Sequence, residues 1–532
     1  LMSNIIYRLR ENPIHPRHSL LDNAPGMESM AKAMASIAGM LIFIGFVCVN
    51  ASIHEYKNGR FSAQGNSFFF YGGSEGLYAN NTAAPKTNSI IKFESITFNR
   101  SKDSAFRHQE MEHNTGLIEA IVFEIRDRDK IGGSMSVGST ALCCTHDLAN
   151  ADGCTQGEII VHPSDETGWP KRIPIVFRGN DEVAIMPPAT ISVAKRGMYN
   201  LYFMFCDPKL KGTVINGKTI WKNPMGYLPG RMAPFMKFYG FMSLSYLILG
   251  LIWFLQYVRF WKDILQLQNC ITAVIALGMC EMAMWYFEYT NFNATGHRPI
   301  DITIWAVTFG SIKKTVSRLL LLVVSMGYGV VRPTLGGITS KVVFLGAIYF
   351  VASEALELVE NVGNINDLSG KARLFLVLPV AVLDAFFILW IFTSLSKTLE
   401  KLQARRSFAK LELYRKFTNL LAVAVVLSVA WIGYELYFKA TDPFTERWQN
   451  AWIITAFWTF LAFVLLCVIC TLWAPSHNAM RYAYSEEIGE DFDEDEAVSL
   501  TSGDVKSTLD VAGRIDRKER RVINTDVFNL AE

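Results

Sequence analysis

Eight ionisable residues stand where the chain is otherwise apolar: Glu281, Lys313, Lys314, Arg318, Glu354, Glu357, Asp384 and Glu435. One charge at the centre of a bilayer costs about 2.5–3.5 kcal/mol even on a lenient insertion scale, so such residues face inward, paired or hydrated. Helical spacing sorts them by face. Lys314 and Arg318 are four apart, on the face that carries Ser311 and Ser325. Glu354, Glu357 and Asn361 share a second face, and Glu281, Trp285 and Glu288 a third. Five acids against three cations leave excess acid for water, a cation or a cationic group. This chemistry suits a polar cavity that grips a lipid head group or passes cations. The plainer reading is a set of helix-locking ion pairs with no ligand, although buried pairs are weak devices for stability.

The elements that must carry these residues are seven apolar segments, near 235–257, 265–288, 302–330, 342–360, 373–396, 417–438 and 451–473, each long enough to span a bilayer. The whole chain has 532 residues, 51% of them hydrophobic, with formal net charge +2. Its mean hydropathy is +0.21. That is too apolar for an ordinary soluble protein and too charged for a bare helical bundle, so a soluble domain joined to a membrane domain is expected. Nothing in the net charge points to nucleic acid.

Residues 1–26 lack apolar periodicity and read as an unstructured or non-native extension. Residues 27–51 read as a signal peptide: Lys32 precedes an apolar run from Ile37 to Val49 with a small-residue exit. That run is shorter than the roughly 20 residues of a spanning helix. Residues 52–230 then enter a secretory lumen and read as β. Ile91–Glu94 and Ile121–Ile125 alternate as half-buried strands do, with further strands at Pro174–Phe177 and Tyr199–Phe205. Asn216-Gly217, between β-forming flanks, predicts a hairpin turn. Many short strands with turn signals suggest a sandwich. Adjacent cysteines rarely pair together, so Cys143 and Cys144 each bond to one of Cys154 and Cys206, in an order left open. Asn80, Asn99 and Asn293 head glycosylation sequons.

With that domain luminal, the sides of the membrane alternate. The cytosolic connections hold eleven Lys and Arg residues, from Arg259 to Lys416, against five in the luminal ones: Arg298, Lys371, Arg373, Lys439 and Arg447. The positive-inside rule is satisfied. All eight intramembrane charges then fall between mid-membrane and the lumen, which predicts a cavity open toward the lumen and shut toward the cytosol. Residues 474–532 form a cytosolic acidic tail. Its run from Ser485 to Glu496 reads as a solvated disordered segment, or as a sorting signal for coat or adaptor proteins.

Several chemistries are excluded. The nine histidines all lie outside the apolar segments, which removes a histidine-ligated zinc hydrolase and a Ser-His intramembrane protease. Asp384 is alone, so a two-aspartate protease lacks its partner. No phosphate-binding Gly loop stands on a strand-to-helix junction. No enzyme, metal site or cofactor is expected. The triplets of rhodopsin-like receptors are replaced by Gly327-Tyr328-Gly329-Val330-Val331-Arg332-Pro333 and Thr471-Leu472-Trp473-Ala474-Pro475.

These segments resemble the GOLD-domain seven-transmembrane family, also called lung seven-transmembrane receptors. The resemblance rests on Trp221-Lys222-Asn223-Pro224-Met225-Gly226-Tyr227-Leu228-Pro229-Gly230, on Phe260-Trp261-Lys262-Asp263 followed by Gln266-Leu267-Gln268-Asn269-Cys270, and on Gly278-Met279-Cys280-Glu281-Met282-Ala283 and Ser325–Pro333. It covers residues 221 to about 475, with a looser match in the luminal domain. The family resemblance implies a luminal all-β GOLD-like sandwich followed by a seven-helix transmembrane bundle over 235–473, in Golgi membranes and cycling through endosomes or the plasma membrane. It implies a role in membrane trafficking, including endosome-to-Golgi retrieval, with luminal cargo, partner proteins or a phospholipid as ligands. A Golgi cation channel that regulates luminal pH, and a receptor for a luminal or extracellular ligand, are the alternatives.

Overall fold

The computed structural model describes residues 52–79, 88–108, 116–134, 140–152, 154–164, 168–328, 339–362, 370–405, 408–442 and 446–475. The expected signal peptide, the segment before it, the sequon at Asn80 and the acidic tail lie outside the described residues.

Two antiparallel sheets face each other across the N-terminal domain. One orders β1 (Ile53–Arg60), β12 (Val214–Lys222), β4 (Ser89–Asn99) and β10 (Thr190–Val193), with β9 (Val183–Ile185) also on β4. The other orders β2 (Ser62–Gln64), β3 (Ser67–Leu77), β11 (Gly197–Phe205), β5 (Leu117–Glu124) and β8 (Lys171–Val176). Phe93, Phe98, Ile215 and Trp221 of the first meet Ile118, Val122, Leu201 and Phe203 of the second in a dry core. This is the expected sandwich, and the strands read at Ile91, Ile121, Pro174 and Tyr199 lie in β4, β5, β8 and β11.

Two local expectations are corrected. β5 is not half-buried: every one of its residues is buried. Ile121 and Phe123 on its outer face are covered by Cys143 and Ile159, part of a segment that holds the small pair β6 (Gly133–Ser134) and β7 (Thr140–Ala141). The disulfides Cys143–Cys206 and Cys144–Cys154 staple this third layer and settle the pairing left open above. The second correction concerns Asn216-Gly217, which makes no hairpin. β12 runs through it as an inner strand paired with both β1 and β4. Gly217 forms a bulge with φ +131°, and a Cβ there would sit 2.6 Å from the Ser95 carbonyl oxygen. The pair therefore bends a central strand instead of reversing the chain.

Seven long helices follow: α1 (Ala233–Arg259), α2 (Gln266–Thr295), α3 (Ile300–Ser325), α4 (Thr339–Val362), α5 (Gly370–Ala404), α6 (Phe408–Thr441) and α7 (Ala451–Leu472). All but α3 are long and apolar enough to cross a membrane, and α3 is the helix that carries Lys313, Lys314 and Arg318. Successive helices pack side by side, α7 returns to α1, and α3 also touches α5. The result is a closed bundle with α3 at its centre.

Sandwich and bundle are locked together at the chain's passage between them. Gly230 N donates to Gly76 O at 2.9 Å. Trp448, fully enclosed, lies flat against both glycines, where a Cβ on either would come within 2.8 Å of the indole. The carboxamide of Asn293, at the end of α2, accepts from Leu228 N at 3.1 Å and donates to Met225 O at 3.0 Å. On the same seam, the Lys57 ammonium beside Glu55, with His297 of the α2–α3 turn contributing, holds the Glu55 carboxyl below the usual carboxylate range.

Candidate functional site: an ion-pair ladder along the third helix

The bundle is packed unequally along its length. In the half remote from the sandwich, Phe387, Ile391 and Leu395 of α5 and Tyr414, Phe417 and Leu421 of α6 are buried in one apolar core. Hydrogen bonds cross that core: Thr398 Oγ1 to Ser325 O at 2.8 Å, Tyr414 OH to Val324 O at 3.1 Å and Gln268 Nε2 to Trp473 O at 3.2 Å. In the sandwich-facing half the same two helices contribute no buried residue to that core. No residue of α5 from Phe375 to Phe386, and none of α6 from Val425 to Tyr437, is buried.

The polar residues occupy this half. Pro299 fixes the start of α3, and its first turns sit beside the end of α2. At the rim Arg298 pairs with the fully buried Glu288, which also accepts from Thr303 Oγ1 at 3.3 Å. The guanidinium also donates to Asn361 O at 2.7 Å, tying α2, α3 and α4 at one point. Five residues further along α3, Thr308 Oγ1 donates to Glu354 Oε1 of α4 at 2.8 Å. Next come Lys313 with Glu281 of α2, and Lys314 with Glu357 of α4. Deepest is Arg318, 2.5 Å from Asp384 of α5, with its guanidinium 4.7 Å above the ring of Tyr349. From Thr303 to Arg318 the ladder descends about 22 Å at 1.5 Å per helical residue.

Room for the charges is made by small residues. A Cβ at Gly310 would stand 3.0 Å from Glu281 Oε1, and one at Gly278 would stand 2.2 Å from the Tyr246 ring over which Lys313 lies. Lys313 and Glu281 are shut in. The other two pairs of this stretch are not: Lys314 retains 40% exposure of its side chain, Arg318 31% and Asp384 32%. Arg318 keeps that access while stacked on Tyr349, which is only 1% exposed. The Tyr349 ring thus covers one side of the guanidinium and leaves the other accessible.

Seven of the eight residues expected to converge do so around α3. Glu435 does not: it pairs with Lys439 one turn along its own helix, at 2.6 Å. The expected surplus of acid shrinks accordingly. Among the described residues Glu354 alone of the five acids has no cation at ion-pair distance; Thr308 donates to it and the Ser311 hydroxyl lies beside it. The Arg298–Glu288 pair escaped the sequence reading because Arg298 precedes a proline and reads as a loop cation. The usable signal was Glu288, one face with Glu281. Of the sequons, Asn99 stands half-exposed on β4, whereas Asn293 spends its carboxamide on the seam described above.

Known proteins are similar to this chain in sequence. Residues 234–480 fit the family model described as GOST, seven transmembrane domain. The bundle lies within the stretch that is similar to a GOST seven-transmembrane domain. The chain is 39% identical over 282 residues to transmembrane protein 87B of Mus musculus, covering 52% of this chain and 50% of that protein. It is 39% identical over 285 residues to transmembrane protein 87A of Xenopus tropicalis, covering 53% and 51%. The chain thus spans about half the length of these relatives. An uncharacterized protein of Schizosaccharomyces pombe is 23% identical over 497 residues, 89% of this chain and 90% of its own. Every rung of the ladder, from Glu281 to Asp384, falls inside the matched residues.

Proposed function

We propose that this multi-pass membrane protein is a non-enzymatic Golgi trafficking factor with its sandwich in the lumen. The charged half of its bundle would hold a phospholipid head group, and the sandwich would contact luminal cargo. The observation that carries this reading is the accessible double pair, Lys314–Glu357 and Arg318–Asp384, beside stretches of α5 and α6 that bury no residue, where we place a crevice. Each cation there has its own acid, so the crevice is balanced and suits a zwitterion. The phosphate would meet Lys314 and Arg318 while the ammonium meets Glu357 and Asp384, and the acyl chains would lie against the exposed apolar faces of α5 and α6. Charge-assisted contacts of this kind are the strong class of hydrogen bond.

The test removes charge in pairs, because stripping one partner leaves a buried charge and unfolds the protein for an unrelated reason. Protein carrying Lys314→Gln with Glu357→Gln, purified in mild detergent, should retain clearly less phospholipid phosphate per chain than the wild type. Equal phosphate in the two preparations would sink the lipid role.

A second reading, cation conduction, is favoured by Glu354, a carboxylate beside the crevice with no cation of its own. Reconstitution in a planar bilayer tests it. Current above protein-free membranes that falls with Glu354→Gln supports conduction, and current indifferent to that change counts against it.

A further inference from the structure

The outer face of the first sheet carries apolar residues at its β9 edge that stay exposed among the described residues. In register across the strands stand Val183 of β9, Asn99 of β4, Val214 of β12 and Arg60 of β1, and one step along stand Ile185, Thr97 and Asn216. Val183 is 48% exposed and Ile185 71%. β9 pairs with β4 on one side and with no other strand among the described residues. A short edge strand with bare valine and isoleucine is a template for edge-to-edge association unless something blunts it.

Asn99 sits in the middle of that row, flanked directly by Val183 and Val214. Its side chain is half-exposed, and it makes no hydrogen bond to a described residue. Asn99-Arg100-Ser101 is a sequon, and Ser101 caps the short helix that follows by accepting from Ser104 N at 3.2 Å, so the chain turns away and leaves the asparagine clear. Asn293 is the opposite case. Both ends of its carboxamide are bonded within the seam, and a Cβ at Gly226 would already lie 2.3 Å from its Oδ1. A sugar on Asn293 and the closed seam exclude each other.

We infer that Asn99 is an N-glycosylation site whose sugar shields the apolar edge at β9, and that Asn293 stays unmodified as a seam residue. This rests on the luminal placement of the sandwich proposed above. In the transfer, Asn99 Nδ2 displaces the diphosphate from the anomeric carbon of a polyprenyl-diphosphate-linked oligosaccharide. The carbon–nitrogen bond forms, the carbon–oxygen bond to diphosphate breaks, the amide loses one proton and the lipid diphosphate leaves.

The experiment uses the full chain made in a eukaryotic secretory host. Peptide N-glycosidase treatment in heavy-oxygen water turns each glycosylated asparagine into labelled aspartate, located by peptide mass spectrometry. Label at Asn99 and none at Asn293 is expected. An unlabelled Asn99, or a labelled Asn293, in protein whose sandwich resists protease on sealed vesicles overturns the inference while sparing the topology. A sandwich digested on sealed, right-side-out vesicles overturns both. Removing the sugar from folded wild-type protein, and separately making Asn99→Gln, should each raise the mass by light scattering through self-association. Unchanged mass in both overturns the shielding role.

Discussion

Lys313 and Glu281 form an enclosed pair deep in the bundle, and their energetics decide what single changes do. Taking two ions out of water costs several kcal/mol per ion, which their attraction roughly offsets; taking one partner away leaves that cost unopposed. Glu281→Gln alone should therefore destabilise by about 3–5 kcal/mol, read as a large fall in thermal midpoint in detergent. Glu281→Leu combined with Lys313→Met should sit close to the wild type or above it. A double variant as unstable as the sum of the singles would contradict this pairing. Asn293 gives a second residue-scale prediction. Asn293→Ala orphans Leu228 N and Met225 O at the seam, a loss of roughly 1–3 kcal/mol, detectable as faster protease cleavage near Met225. Much of this was legible in advance. Cost per charge forced the seven residues inward, and helical depth put acid opposite cation. Glu435 was misplaced because depth alone cannot tell a partner on another helix from Lys439 one turn away.

At the scale of elements, α3 runs between a dry half and a charged half because its own sequence changes there. Lys313, Lys314 and Arg318 occupy the stretch beside Glu281, Glu357 and Asp384, and from Leu320 to Ser325 its inward residues are apolar or bonded to backbone. The close approach of α1 and α2 rests on Gly278, whose hydrogen faces the Tyr246 ring under Lys313. Gly278→Ala should overpack this contact at a cost of about 1–3 kcal/mol, measured as a lower thermal midpoint. An unchanged midpoint would mean that Tyr246 moves freely and does not help seat Lys313. Element type was readable from apolar run length and strand alternation. The Asn-Gly pair misled because a turn signal is local, whereas the two neighbours that keep β12 running on through its bulge, β1 and β4, come from distant parts of the chain. The full burial of β5 likewise depends on a cysteine-stapled cover that period-two alternation cannot announce.

For the whole molecule, the sandwich sits at the charged half of the bundle, held by the seam of Gly76, Gly230 and Trp448. Trp448→Ala should free the sandwich to move against the bundle, seen as new protease cleavage between Tyr227 and Met232 with both domains still folded; cleavage no faster than in the wild type would contradict the seam. The central claim is that the accessible paired charges hold a phospholipid. Native mass spectrometry of the intact protein tests it most directly. The account predicts a phospholipid-sized adduct that outlasts detergent stripping on the wild type and is lost from Arg318→Gln with Asp384→Asn. A bare wild-type chain, or an adduct that survives the paired change, would contradict it.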